Sequence, residues 1–170
     1  AISPHSRYVV RSAARFFCHC ERPEEALWLI RRTPRHLTDP WLRAAELAVS
    51  SLTEAGVSGW RRSKALSEDE SLSVLDRSEL ASELATLELH AGSRKSAIRK
   101  LQLAASDPSE NAVAQIEFLT RKSDLLNREE ISPDVTKSME ARAYRSYMHG
   151  DLLDALAACE EWQTLEPFST

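Results

Sequence analysis

Thiol and imidazole side chains stand next to one another at Cys18-His19-Cys20, and thiolates with imidazole are zinc's usual ligands. Adjacent positions on a helix point in different directions, however. No second Cys/His pair lies near in sequence, and Cys159, His5, His36, His90 and His149 are scattered. The expectation is buried packing cysteines and no metal. Glu68-Asp69-Glu70 and Glu160-Glu161 place carboxylates side by side, but consecutive loop acids are ordinarily hydrated. No nucleophile elbow, phosphate-binding glycine loop or HExxH pattern occurs. The chain is therefore expected to be non-catalytic and without a cofactor.

A second grouping is basic and partly aromatic: Arg31, Arg32 and Arg35, then Trp60, Arg61, Arg62 and Lys64. Guanidinium groups suit phosphate, and an aromatic ring suits base stacking, so RNA contact is one expectation for this patch. The competing expectation is a solvated face whose Trp60 packs inward. Residues 1–64 carry eleven Lys/Arg against six Asp/Glu, and residues 65–170 carry eleven against twenty. The net charge of -4 speaks against a dedicated nucleic-acid binder.

These side chains have to be positioned by helices. Four glycines and seven prolines leave few breaks for hairpins of strands. Asp39-Pro40, Asp107-Pro108 and Ser132-Pro133 each place a capping side chain before a proline at the first helical position. Asp76…Glu79 reads as a further start. The predicted helices cover 6–19, 23–32, 40–55, 58–66, 77–91, 94–106, 109–122, 134–149 and 151–164. Residues 67–75 are expected to be a polar connector, and 123–133 a loop or irregular helix. Leu80, Leu84, Leu87 and Ala91 form one apolar stripe, Ile98, Leu101 and Ala105 a second, and Leu152, Leu156 and Cys159 a third.

Three stretches of the chain superimpose in sequence. Ala14…Ala26, Ala85…Ala97 and Ala143…Ala155 each set two alanines 12 residues apart, with Glu21, Gly92 and Gly150 seven residues after the first. Small residues on successive helices let paired helices approach closely and stack.

This pattern resembles tetratricopeptide repeats. The last stretch matches best, through Ala143, His149-Gly150-Asp151, Asp154-Ala155 and Pro167. The first lacks the turn glycine, and Trp60 falls where a unit beginning at Asp39 would carry alanine. The resemblance implies an all-α fold, a right-handed superhelical array of eight or nine helices in antiparallel hairpins. A single domain would span 1–170, with clear units near 7–38, 78–108 and 136–168 and degenerate ones at 39–66 and 109–132.

The resemblance further implies a scaffold that binds a protein or peptide on its concave face, self-association included. Tyr8, Arg11, Arg15 and His19 would face that surface from the first unit. Glu79, Glu83, Thr86 and His90 would come from the middle unit, and Lys137, Glu140, Tyr144 and Tyr147 from the last. Asp39-Pro40-Trp41-Leu42, Ser78-Glu79-Leu80-Ala81 and Asp107-Pro108 are also similar to the repeat region of large bacterial proteins, some of which carry a PIN-type nuclease domain elsewhere. The first residues, Ala1-Ile2-Ser3, include no Met, so a piece of a longer protein is expected. The RNA alternative would then serve such a nuclease. No apolar run spans a bilayer, no secretory signal pattern occurs, and three cysteines fit a reducing compartment, so a cytoplasmic location is expected.

Overall fold

A computed structural model describes residues 5–53, 56–122 and 139–165. Among these residues all regular structure is helical. The elements are α1 (Arg7–His19), α2 (Pro23–Arg32), α3 (Pro40–Ser50), α4 (Trp60–Glu68), α5 (Val74–His90), α6 (Arg94–Ala104), α7 (Glu110–Lys122), α8 (Met139–His149) and α9 (Leu152–Leu165).

Side-chain caps set several of these limits. The Asp39 carboxylate accepts from the backbone N–H groups of Trp41 and Leu42, at 2.9 and 3.2 Å, and Pro40 occupies the first helical position. Helix α5 starts earlier than Asp76, because Ser73 Oγ accepts from the Asp76 N–H at 3.1 Å. Asp76 instead lies in the first turn, where its charge suits the helix dipole. The expected connector at 67–75 is therefore shorter: Ser67 and Glu68 end α4, while Val74 and Leu75 open α5. At α7 the cap is Ser109 and not Asp107, since Ser109 Oγ accepts from the Ala112 N–H at 3.1 Å. Helix α3 stops at Ser50, five residues short of expectation. The start expected at Ser132-Pro133 lies outside the described residues.

The three superimposed stretches are three tight hairpins: α1/α2, α5/α6 and α8/α9. Glu21, Gly92 and Gly150 all have positive φ, at 60°, 75° and 83°. Their N–H groups donate to Cys18, Leu89 and Tyr147 carbonyls three residues back. The following residues, Arg22, Ser93 and Asp151, donate five residues back to Phe17, Glu88 and Ser146. This six-to-one bond closes a helix C-terminus through a left-handed residue. The next helix then begins in the same way each time: Ala26, Ala97 and Ala155 donate to Arg22, Ser93 and Asp151. Their partner alanines, Ala14, Ala85 and Ala143, are likewise buried.

The buried apolar residues fall into clusters, each joining successive helices. Val10, Ala14, Ala26, Ile30 and Leu42 link α1, α2 and α3. Leu47, Leu80 and Leu84, with half-buried Trp60 and Leu66 against them, link α3, α4 and α5. Ala81, Ala85, Leu101, Ala104 and Ile116 link α5, α6 and α7.

Two expectations fail on packing. In α9 the buried residues are Ala155 and Ala158, whereas Leu152, Leu156 and Cys159 are exposed. Helix α9 packs on α8, and with Ala155 and Ala158 on its covered face the leucine stripe is left outward. Cys20 is exposed too, because it follows the last residue of α1, and Cys18 is only partly covered. Among the described residues no His, Cys, Asp and Glu side chains group as a metal site. None of the helices is long and apolar enough to cross a membrane.

Candidate functional site

Four helices supply every side of one groove. Arg7 and Arg11 of α1 bond Asp76 and Glu79 of α5 in that order, Asn111 and Gln115 of α7 bond Glu79 and Glu83, and in α3 Trp41 bonds Asp76 while Leu47 packs with Leu80 and Leu84, so the four helices run in the same direction. Helix α1 packs on α3, α3 on α5 and α5 on α7. The row also bends. Arg15 of α1 donates to Asn111 Oδ1 of α7 at 3.2 Å, although α3 and α5 lie between them in the packing order. Between the four helices lies a cavity of about 530 Å³, within the usual size range of ligand sites.

The lining follows one helical face in each element. The residues are Arg11, Arg15 and Cys18 on α1, Glu79, Glu83 and Thr86 on α5, and Asn111, Gln115 and Phe118 on α7. Helix α3 contributes Ala44, Ala48 and then Ser51 just past its end. Each set is spaced i, i+4, i+7, which keeps three side chains on one stripe. Ala14, Ala45 and Ala114 add small apolar surface, while Leu52 and Phe118 remain exposed beside it.

Near the helix starts the polar groups satisfy one another. Asp76 accepts from Arg7 Nη1 at 2.9 Å and from Trp41 Nε1 at 2.7 Å. Burial works against the Asp76 charge, but bonds from Ser73, Trp41 and Arg7 hold its carboxyl below the ordinary range. The Arg7 and Arg11 guanidinium groups lie 4.8 and 4.6 Å from the Trp41 ring centroid. Arg11 forms an ion pair with fully buried Glu79, which also accepts from Ser109 Oγ and, at 3.0 Å, from Asn111 Nδ2. Burial lowers the Arg11 pKa, and Glu79 opposes that shift.

Toward the helix ends the balance changes. Gln115 Nε2 donates to Glu83 Oε2 at 2.8 Å and to Thr86 Oγ1 at 2.6 Å. Burial pushes the Glu83 carboxyl above its ordinary range, and the nearby Glu79 charge adds to the effect against the Gln115 bond.

Of the residues expected on a concave face, Arg11, Arg15, Glu79, Glu83 and Thr86 line this groove. Tyr8 does not: it is exposed, with its ring tilted on Trp41 at 6.2 Å. His19 and His90 end α1 and α5 and are exposed. Tyr147 is exposed on α8, away from the groove. Lys137 and the side chains of Glu140 and Tyr144 lie outside the described residues. The contributions of α3 and α7 were not anticipated, although the i, i+4, i+7 spacing of Asn111, Gln115 and Phe118 repeats that of Arg11, Arg15 and Cys18.

The basic patch sits on α2, on α4 and in the turn after α2. Arg31 donates to Glu46 and Ser58, at 3.0 and 3.1 Å, and Lys64 pairs with Glu88. Trp60 is half-buried against the core, with Lys64 over its ring. Arg35 is exposed at a positive φ of 70°. Arg61 and Arg62 are exposed, and Arg32 lies over the exposed Trp28 ring at 4.8 Å. No protein-family model, curated protein or solved structure gives a match to this chain.

Proposed function

We propose that this chain is a tetratricopeptide-like scaffold that holds a peptide or protein segment in the groove across α1, α3, α5 and α7, without catalysis. In this reading the hairpins α1/α2, α3/α4, α5/α6 and α8/α9 stack in a right-handed superhelix. Helix α7 is the first helix of a degenerate unit. The observation that carries the reading is that one face of four parallel first helices, and no residue of α2, α4 or α6, lines the cavity. Supporting it are the identical backbone bonds at Glu21, Gly92 and Gly150 and the buried alanine pairs beside them. The polar network near the helix starts gives the groove its shape before any ligand arrives, which lowers the ordering cost of binding.

Selection of a randomised peptide library on the purified chain tests the proposal. Ala48→Trp places a large ring in the groove from a half-buried position and is expected to abolish binding of the selected peptides. Peptides that bind Ala48→Trp as well as the parent chain would overturn the reading. The exposed pair Trp28 and Arg32, with Arg61 and Arg62, favours RNA as a second reading. Titration of labelled single-stranded RNA over a salt series distinguishes it, because phosphate contacts weaken steeply with salt. Absence of binding at low salt removes that reading.

A further inference from the structure

Hydrogen-bonding groups in the two halves of the groove are in different states. Near the helix starts, Arg11 is taken by Glu79, and Glu79 receives two further donors, Ser109 just before α7 and Asn111 within it. About one turn further along the helices, Gln115 uses both amide hydrogens internally, on Glu83 and Thr86. The Thr86 hydroxyl uses its own hydrogen on the Ser82 carbonyl at 3.3 Å. What remains toward a ligand is a pair of acceptors, the Gln115 amide oxygen and Glu83 Oε1. Neither receives a donor from the described residues, and no Lys or Arg among them forms an ion pair with Glu83.

Resting on the peptide-binding reading, we infer that this half of the groove selects a basic side chain, seated between Glu83 and Gln115, on a peptide with small apolar neighbours. Two acceptors and one formal negative charge require a ligand with several donors, as an ammonium or guanidinium has. A neutral apolar segment would bury the Glu83 carboxylate without a counter-ion and leave Oε1 without a donor, and an acidic one would add repulsion. The basic group would also relieve the crowding of Glu83 by burial and by Glu79. Leu52 and Phe118 stay exposed beside the same half and suit the methylene stem of Lys or Arg and its apolar neighbours. Arg15 does not cancel the site. It is exposed, and its bond to Asn111 directs it to the other half.

The probe is a randomised heptapeptide library displayed on phage, followed by titration of the selected peptides as synthetic fluorescent conjugates. Selection is expected to fix Lys or Arg at one position between small apolar residues. Replacing that residue by Met is expected to weaken binding at least tenfold to the parent chain and less than threefold to Glu83→Gln. Glu83→Gln removes a charge that folding disfavours, so its melting temperature at pH 7 is expected to equal or exceed the parent's. Selected peptides that are blocked by Ala48→Trp yet show no basic preference would overturn this inference and leave the groove reading standing. An equal loss on both proteins would do the same. Selected peptides unaffected by Ala48→Trp would sink the groove reading and this inference with it. Spermidine alone binding as tightly as the best peptide would replace the peptide by a small polyamine.

Discussion

Helix pairs α5/α6 and α3/α4 are joined by different chemistry. In α5/α6 the helices meet through small side chains. Ala81, Ala85, Ala97 and Ala104 are fully buried, and Gly92 turns the chain in the left-handed region. Helix α3 ends at Ser50 and α4 begins only at Trp60, and the place that Ala26, Ala97 and Ala155 hold, fourth in the second helix with its N–H on the residue before that helix, belongs to fully buried Ser63. Helix α4 leans more on α5 than on α3. The space between α3 and α4 is spanned by Arg43, which is 1% exposed. Its guanidinium donates to Ser63 Oγ at 2.8 Å, to the Gly59 carbonyl at 3.3 Å and to Glu46. Glu46 also accepts from Arg31 of α2. Close packing of alanines needs only residues local to the hairpin, so it can recur. A buried polar network needs partners from several elements and is specific to one place.

The contrast is sharpest at Glu46. Glu46→Ala leaves the Arg43 charge buried without its counter-ion, and a loss of about 3–5 kcal/mol of stability is expected. Replacing both partners, Arg43→Met with Glu46→Leu, is expected to recover most of that loss, since an apolar pair of similar volume removes the desolvation penalty. Urea unfolding measures both. A single variant within about 0.5 kcal/mol of the parent would mean that the network does not hold α3 to α4.

The alanine side of the comparison predicts a smaller effect. Ala97→Leu adds methylenes where α6 lies against α5 and is expected to cost about 1–3 kcal/mol. Ala65→Leu on α4 is its control, because Ala65 is exposed, and a change within about 0.5 kcal/mol is expected. Equal losses at the two sites, read from the same urea curves, would erase the distinction between the hairpins.

Local signals explain what the sequence made legible. The alanine pairs and the turn residues between them mark α1/α2, α5/α6 and α8/α9, because a tight turn and a close helix contact are both decided within about thirty residues. Caps were legible where one candidate existed, as at Asp39. They were misread where two competed, as with Ser73 against Asp76 and Ser109 against Asp107. Burial of Arg43 and Glu46 was not legible, since charged residues at i and i+3 on a helix ordinarily face water. The outward turn of Leu152 and Leu156 was hidden for a related reason: either face of α9 is apolar enough to pack, and the choice depends on α8. Half of the groove was visible in Arg11, Arg15, Glu79 and Glu83. Asn111 and Gln115 gain their place in the groove from a bend that brings α7 toward α1, which no short window of sequence contains.

The finest test of the comparison lies in the turns themselves. Glu21 and Gly92 make the same bonds at φ values of 60° and 75°, yet one carries a side chain in a region that costs an L-residue about 1 kcal/mol. A Cβ at Gly92 would meet no atom within 4 Å, so Gly92→Ala is expected to lose about 1 kcal/mol from backbone conformation alone. Glu21→Gly is expected to gain somewhat less than about 1 kcal/mol, because glycine also widens the unfolded ensemble. Gly59→Ala, at the same φ of 75°, adds a collision with the Arg43 guanidinium and is expected to cost more than Gly92→Ala. Melting curves of the three variants rank them. Shifts of the same sign at Glu21 and Gly92 would show that the two turns are not equivalent. A Gly59→Ala loss no larger than that of Gly92→Ala would show that Arg43 can leave its place freely, which a load of buried hydrogen bonds on its guanidinium does not permit.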